Sequence, residues 1–97
     1  MDYVAYKGDK WPVRVSYYAL KQYQNETGKG IETLEDNIAN LEILLYYSLI
    51  AGCKAEDKEC TLTRDDMEFV LDESMKGFNK ILLGSFEEST GTDSKKK

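Results

Sequence analysis

The chain has 97 residues, 41% of them hydrophobic and 32% charged, with a formal net charge of −5. That length suits one small domain, and that balance favours folding over disorder. The longest apolar run, Ile43 to Ala51, falls short of the about 18 residues that span a bilayer, and an acidic body lacks the basic surface that nucleic acid requires.

Asp2 to Lys7 reads as a first strand, because Tyr3, Val4 and Tyr6 are β-favouring. Gly8-Asp9-Lys10 reads as a turn and Trp11 to Val15 as the return strand. Trp11, Val13 and Val15 alternate with Pro12, Arg14 and Ser16, the pattern of a strand with one buried face. Pro12 donates no ladder hydrogen bond, which puts it at an edge or a strand start. A two-stranded hairpin is marginal in water, so helices must cover one face.

At Ser16 the hydrophobic period changes from two to about 3.6. Ser16 suits an N-cap, Tyr17, Leu20 and Tyr23 follow at helical spacing, and Gly28 suits the position past the helix end. A first helix is predicted from about Tyr17 to Thr27. Lys29 to Ala39 reads as looser, with a short helical turn at Thr33-Leu34-Glu35-Asp36, a capping-box pattern ending in Asp. The next helix, from about Asn40 to Ala55, is apolar nearly all round, which assigns it to the centre of a fold or to an interface. Glu56 to Glu59 is a solvated connection. Thr63 suits a second N-cap, with Asp65 and Asp66 in the favourable first turn of a helix running to about Leu71. Ser74 suits the cap of a further helix with Met75, Phe78, Leu82 and Phe86 on one stripe; Asp72-Glu73 reads as either a break or a bend. The predicted architecture is α+β: an N-terminal two-stranded β-hairpin packed against about four α-helices. Residues 1–88 form the single domain and residues 89–97 a disordered polar tail.

The chain contains no His, and so lacks the commonest general base and metal ligand. Cys53 and Cys60 have no sequence partner that would activate a thiolate, and two Cys alone do not make a typical zinc site. They read as reduced thiols, one in a helix and one at a loop edge. The acid pairs Glu35-Asp36, Asp65-Asp66 and Glu87-Glu88 point about 100° apart on a helix and read as solvated faces. Gly28-Lys29-Gly30 lacks the flanks of a phosphate loop. No catalytic residue, cofactor site or metal site is assigned, and an enzyme is the last-ranked class.

Tyrosine is the compositional outlier. All seven, Tyr3, Tyr6, Tyr17, Tyr18, Tyr23, Tyr46 and Tyr47, lie in the first half. The adjacent pairs Tyr17-Tyr18 and Tyr46-Tyr47 cannot each send both rings to one helix face, so at least one ring of each pair is left at a boundary. Tyr3, Tyr6, Tyr17, Tyr18, Tyr46 and Tyr47 are the candidate partner-binding residues, since Tyr is enriched in interface hot spots. Val13, Val15 and Leu20 are assigned to the core. Charge is also uneven: residues 1–30 carry five basic and three acidic side chains, residues 31–94 five basic and fifteen acidic, and Lys95, Lys96 and Lys97 close the chain.

The stretches WPVRVSYYALKQYQNETG, NLEILLYYSLIAG and CTLTRDDMEFVLDES, in this order, resemble the phage tail assembly chaperones of siphovirus-like tails, in the Tyr-rich form of Bacteroidetes phages and prophages. The resemblance covers most of the chain, roughly Asp2 to Glu88. It implies a non-enzymatic protein that binds the tape measure protein before the tail tube polymerises around it. It further implies that a longer form, made by frameshifting, helps to recruit tail tube protein subunits. The terminal lysine codons would suit such a slippery site, and a solubilising tail or cloning remnant would account for them equally. The N-terminus lacks a signal-peptide pattern, so the expected location is the host bacterial cytoplasm, with absence from the mature virion. Nucleic acid and membrane are not expected as partners; self-association is allowed. The alternative reading is a small structural or adaptor protein retained in a phage particle, or a host regulatory interaction domain.

Overall fold

The computed structural model describes the backbone of residues 1–95 and the side chains of residues 1–85. Strands β1 (Asp2–Tyr6) and β2 (Asp9–Val13) form an antiparallel hairpin. Three α-helices follow: α1 (Tyr17–Thr27), α2 (Ala39–Ala55) and α3 (Met67–Lys95), with 3-10 turns at Ile31–Thr33 and Arg64–Asp66. The class is α+β, as the sequence implies. The expected count of about four helices is corrected to three. The expected tail over 89–97 falls where side chains lie outside the described residues.

The hairpin turn is Lys7-Gly8, one residue earlier than the predicted Gly8-Asp9-Lys10. Both residues have positive φ, 52° and 81°, the two-residue turn whose twist matches that of the flanking strands. Tyr6 therefore pairs with Asp9, Val4 with Trp11 and Asp2 with Val13. The strand ends at Val13 instead of Val15, because the Arg14 N–H leaves the hairpin and donates to the Ser48 carbonyl of α2 at 3.0 Å. Pro12 is buried along with Trp11 and Val13, so β2 does not alternate in burial: α2 lies directly against its backbone. Gly52 permits this approach. A Cβ there would stand 2.2 Å from the Pro12 carbonyl oxygen.

Helix α1 has its predicted bounds. The Ser16 hydroxyl accepts from the Ala19 N–H at 3.5 Å, and the Gly28 N–H returns to the Gln24 carbonyl at 2.8 Å. The following turn begins earlier than the predicted Thr33–Asp36, because Gly30 starts it and the Thr33 hydroxyl donates to the Gly30 carbonyl at 2.8 Å. Asn40 Nδ2 donates to the Thr33 carbonyl, and the Thr33 hydroxyl also meets the hydroxyl of Tyr23. The fully buried Tyr23 ring thus keeps its polar end satisfied. The Asn37 side chain accepts from the Ala39 N–H and starts α2. That helix ends with the Lys58 N–H on the Cys53 carbonyl and Asp57 at φ 54°, a left-handed helix stop of the Schellman kind with Asp in place of Gly.

Helix α2 is central: it packs on β2, α1 and α3, while α3 packs on β1. Leu44, Leu45 and Leu49 of α2 are fully buried with Val13, Tyr23, Met67, Val70 and Phe78. Val15 and Leu20 pack partly buried against this core. At the start of α3 the Asp66 carboxylate reaches back to accept from the Thr63 N–H at 2.8 Å, so the predicted N-cap Thr63 is part of a capping box. Of the two readings left open at Asp72-Glu73, a break or a bend, the structure shows the bend: one helix runs through with a kink at Ser74 (φ −129°, ψ 23°). Ser74 does not cap a new helix. Its hydroxyl donates to the Ala5 carbonyl of β1 at 2.6 Å, and the Glu73 carboxylate accepts from the Lys7 N–H at 3.3 Å. The helix bends where it is tied to the hairpin.

Candidate protein-binding surface

The tyrosines divide into three groups. Tyr6, only 5% exposed, sits in the core with Tyr23. It is corrected from a partner contact to a packing residue, because its strand position points to the same face as buried Val4. Tyr3 is exposed at the other side of the hairpin, and its hydroxyl donates to the Glu56 carboxylate. That bond to a carboxylate raises the pKa of Tyr3 above the ordinary tyrosine value.

Tyr18, Tyr46 and Tyr47 come together. The Tyr18 and Tyr47 rings meet edge to face at 6.3 Å between centroids, and those of Tyr46 and Tyr47 at 5.3 Å. This geometry suits the opposite polarity of ring edge and ring face. Arg64 spreads over Tyr46 at 5.2 Å and Tyr47 at 5.8 Å. Its guanidinium pairs with both Glu26 oxygens, and the Tyr47 hydroxyl donates to the same carboxylate at 2.9 Å. The arginine hydrogen bond holds the Glu26 carboxyl below its ordinary pKa, while burial, then Glu26, raise that of Tyr47. Glu26 and Arg64 therefore fasten α1, α2 and the start of α3 through one aromatic cluster. Neither residue was singled out in the sequence, because they are 38 positions apart and each looks like an ordinary surface charge.

Tyr17 is not part of this cluster and stands 79% exposed at the first position of α1. The sequence expectation that at least one ring of each adjacent pair lies at a boundary or outside holds for both pairs: Tyr17 is exposed, and the Tyr46 and Tyr47 rings are both half-buried and pack on each other.

Besides the N-terminal Met1, three exposed large apolar side chains were not among the sequence candidates: Ile38, Phe69 and Leu83. They have a readable signal. Met67, Val70, Leu71, Phe78 and Leu82 supply the buried stripe of α3, and Phe69 and Leu83 lie off it, so the helix carries more apolar surface than its core contact uses.

Cys53 and Cys60 are free thiols, the first buried in α2 and the second half-buried in the loop. Burial above all, with the neighbouring Cys60 thiol, pushes Cys53 up to about 12. Among the described residues no three His, Cys, Asp or Glu converge as a metal site would require, and no helix is long and apolar enough to cross a membrane. Comparison of the chain with family models, curated proteins and solved structures yields no match.

Proposed function

We propose that this protein is a non-enzymatic binding module of tail assembly: a chaperone that holds the tape measure protein and, in a longer form, helps to recruit tail tube subunits. The observation that supports it is exposed apolar surface on a strongly acidic small domain. Tyr3, Tyr17, Tyr18, Ile38, Phe69 and Leu83 are all exposed large side chains. A holder of amphipathic helices needs such area, and a net negative charge keeps it soluble. The order of the three resembling sequence stretches supplies the tail-assembly context.

Co-expression with the tape measure protein of the same genome tests this reading. Increased solubility of that protein and a complex on a sizing column are expected; no effect and no complex would reject it. Mass spectrometry of purified particles distinguishes the retained structural or adaptor alternative, which requires the protein in the particle, whereas the chaperone is expected to be missing. Tyr17→Ala is the informative tyrosine variant. It should weaken the complex with little change in Tm, because its ring is the most exposed of the large apolar side chains. Tyr47→Ala should lower Tm as well, because it breaks the Glu26 contact and two ring contacts.

A further inference from the structure

The second apolar surface lies away from the tyrosine cluster, between α3 and the segment that leads into α2. Leu34, Ile38 and Leu41 form one wall and Leu82 and Leu83 the other, with a hollow of about 540 Å³ between them. A second hollow of about 300 Å³ adjoins it, lined by Phe69, Leu71 and Met75. Ile38 borders both, and together the two hollows make up a groove along α3. Its floor residues Leu34, Leu71 and Leu82 are buried, whereas Ile38, Phe69 and Leu83 on its lips are 70%, 56% and 66% exposed.

Charge distinguishes this groove from an ordinary apolar seam. Glu35, Glu42, Glu68 and Asp72 line it, and among the described residues no Lys or Arg does. Lys76 and Lys80 of α3 lie outside the lining. An apolar trough with acidic walls is complementary to a helix that is apolar on one face and cationic on its flanks. On α3 the lining runs from Glu68 to Leu83 across the bend at Ser74, a contour of about 23 Å at 1.5 Å per residue, or about four turns. The walls are helices and a turn, with no strand in the lining, so recognition is by side-chain packing and not by strand addition. A second copy of this chain is a poor occupant, because it brings a net charge of −5 to a negative rim.

We infer that this groove is a docking site for a cationic amphipathic α-helix of a partner protein. The inference deepens the proposed function, whose exposed surface already includes Ile38, Phe69 and Leu83, by naming the site and the charge of the helix; the peptide test and the co-expression test fail separately.

The test uses the full 97-residue chain and three labelled synthetic peptides of about 16 residues, the length that spans the groove. The first places Leu on one helical face and Lys on the other; the second replaces Lys by Glu; the third scrambles the first so that no face is apolar. Fluorescence anisotropy at physiological salt should show the Leu/Lys helix binding about tenfold or more tightly than either control. Ile38→Asp and Leu83→Asp should each weaken it about tenfold or more, whereas Tyr17→Ala should leave it unchanged. Both positions are exposed, and circular dichroism confirms that the variants fold. Amide shift mapping on the unsubstituted protein should confine perturbations to residues 34–42 and 68–83. Equal binding of the scrambled peptide would reduce the effect to net charge, and equal binding of the Glu peptide would remove the role of the acidic walls. Perturbations centred on Tyr18 and Tyr47, or a dimer in sedimentation that Ile38→Asp dissociates, would assign the groove otherwise. Any of these results overturns the inference.

Discussion

Gly52 illustrates how one missing side chain positions two elements. Gly inside a helix normally costs up to about 1 kcal/mol relative to Ala. At Gly52 the missing Cβ lets α2 touch the Pro12 backbone, where the added atom would stand 2.2 Å from the carbonyl oxygen and 2.9 Å from the Val13 nitrogen. Backbone atoms cannot swing aside, so Gly52→Ala should lose about 1–3 kcal/mol, read from the denaturant midpoint. Gly77→Ala is the paired control: nothing lies within 4 Å of its Cβ position on the exposed side of α3, so it should gain up to about 1 kcal/mol. Cys53 is the second residue with a measurable signature. Its thiol is pushed up from 9.0 to about 12. Native protein at pH 8 should therefore be alkylated at Cys60 before Cys53, as peptide mapping would show. A raised thiol pKa favours the protonated native state, so this contribution to stability is complete below the unfolded value. It declines as pH rises from about 9 towards about 12.

Helix α3 shows why a helix end is harder to read than a helix start. Its start is local: Thr63 and Asp66 are three residues apart and bond to each other. Its course at Ser74 is set by Ala5, 69 positions away. Serine is a common N-cap, which is why the sequence suggests a new helix there; the hydroxyl instead serves the hairpin and the helix passes through with a kink. Ser74→Ala would leave the Ala5 carbonyl without this donor and should lower stability by about 1–3 kcal/mol. The loss should appear as a lower Tm together with faster amide exchange in β1. No comparable loss in β1 protection would mean that the hairpin is held by its core packing alone.

On the scale of the whole molecule, two polar fastenings among the described residues bear on how the helices are joined. One is the Ser74 and Glu73 contact of α3 with the hairpin. The other is the Glu26–Arg64 pair with its three tyrosines, which joins α1, α2 and the entry to α3. Since the arginine hydrogen bond lowers the Glu26 pKa from its ordinary 4.5, this contribution is present above about pH 4.5 and is lost as pH falls through the lowered native value. Glu26→Gln should therefore be less stable than the unsubstituted protein at neutral pH, with the gap closing in acid and narrowing in high salt. Parallel denaturation curves across pH 2–7 would count against a role for this ionised pair. The two partly apolar surfaces, around Tyr17 and along the α3 groove, lie outside these fastenings. Substitutions at exposed Tyr17, Ile38 or Leu83 should therefore test the proposed partner binding without loosening the domain.

The sequence by itself determined the α+β class, the hairpin, α1 with both caps, the span of α2 and the start of α3. These rest on periodicity and on hydrogen bonds between residues a few positions apart, such as Ser16 with Ala19 and Gly28 with Gln24. Only the tertiary structure decided the bend at Ser74, the intimate contact of Gly52 with Pro12, and the division of the tyrosines into core, cluster and surface. It also created the acidic-walled groove, whose sides are about forty residues apart in the chain. The physical reason is range. Caps and periods are satisfied within a turn or two of chain, whereas a kink, a cavity or an exposed ring depends on which distant segment happens to cover it.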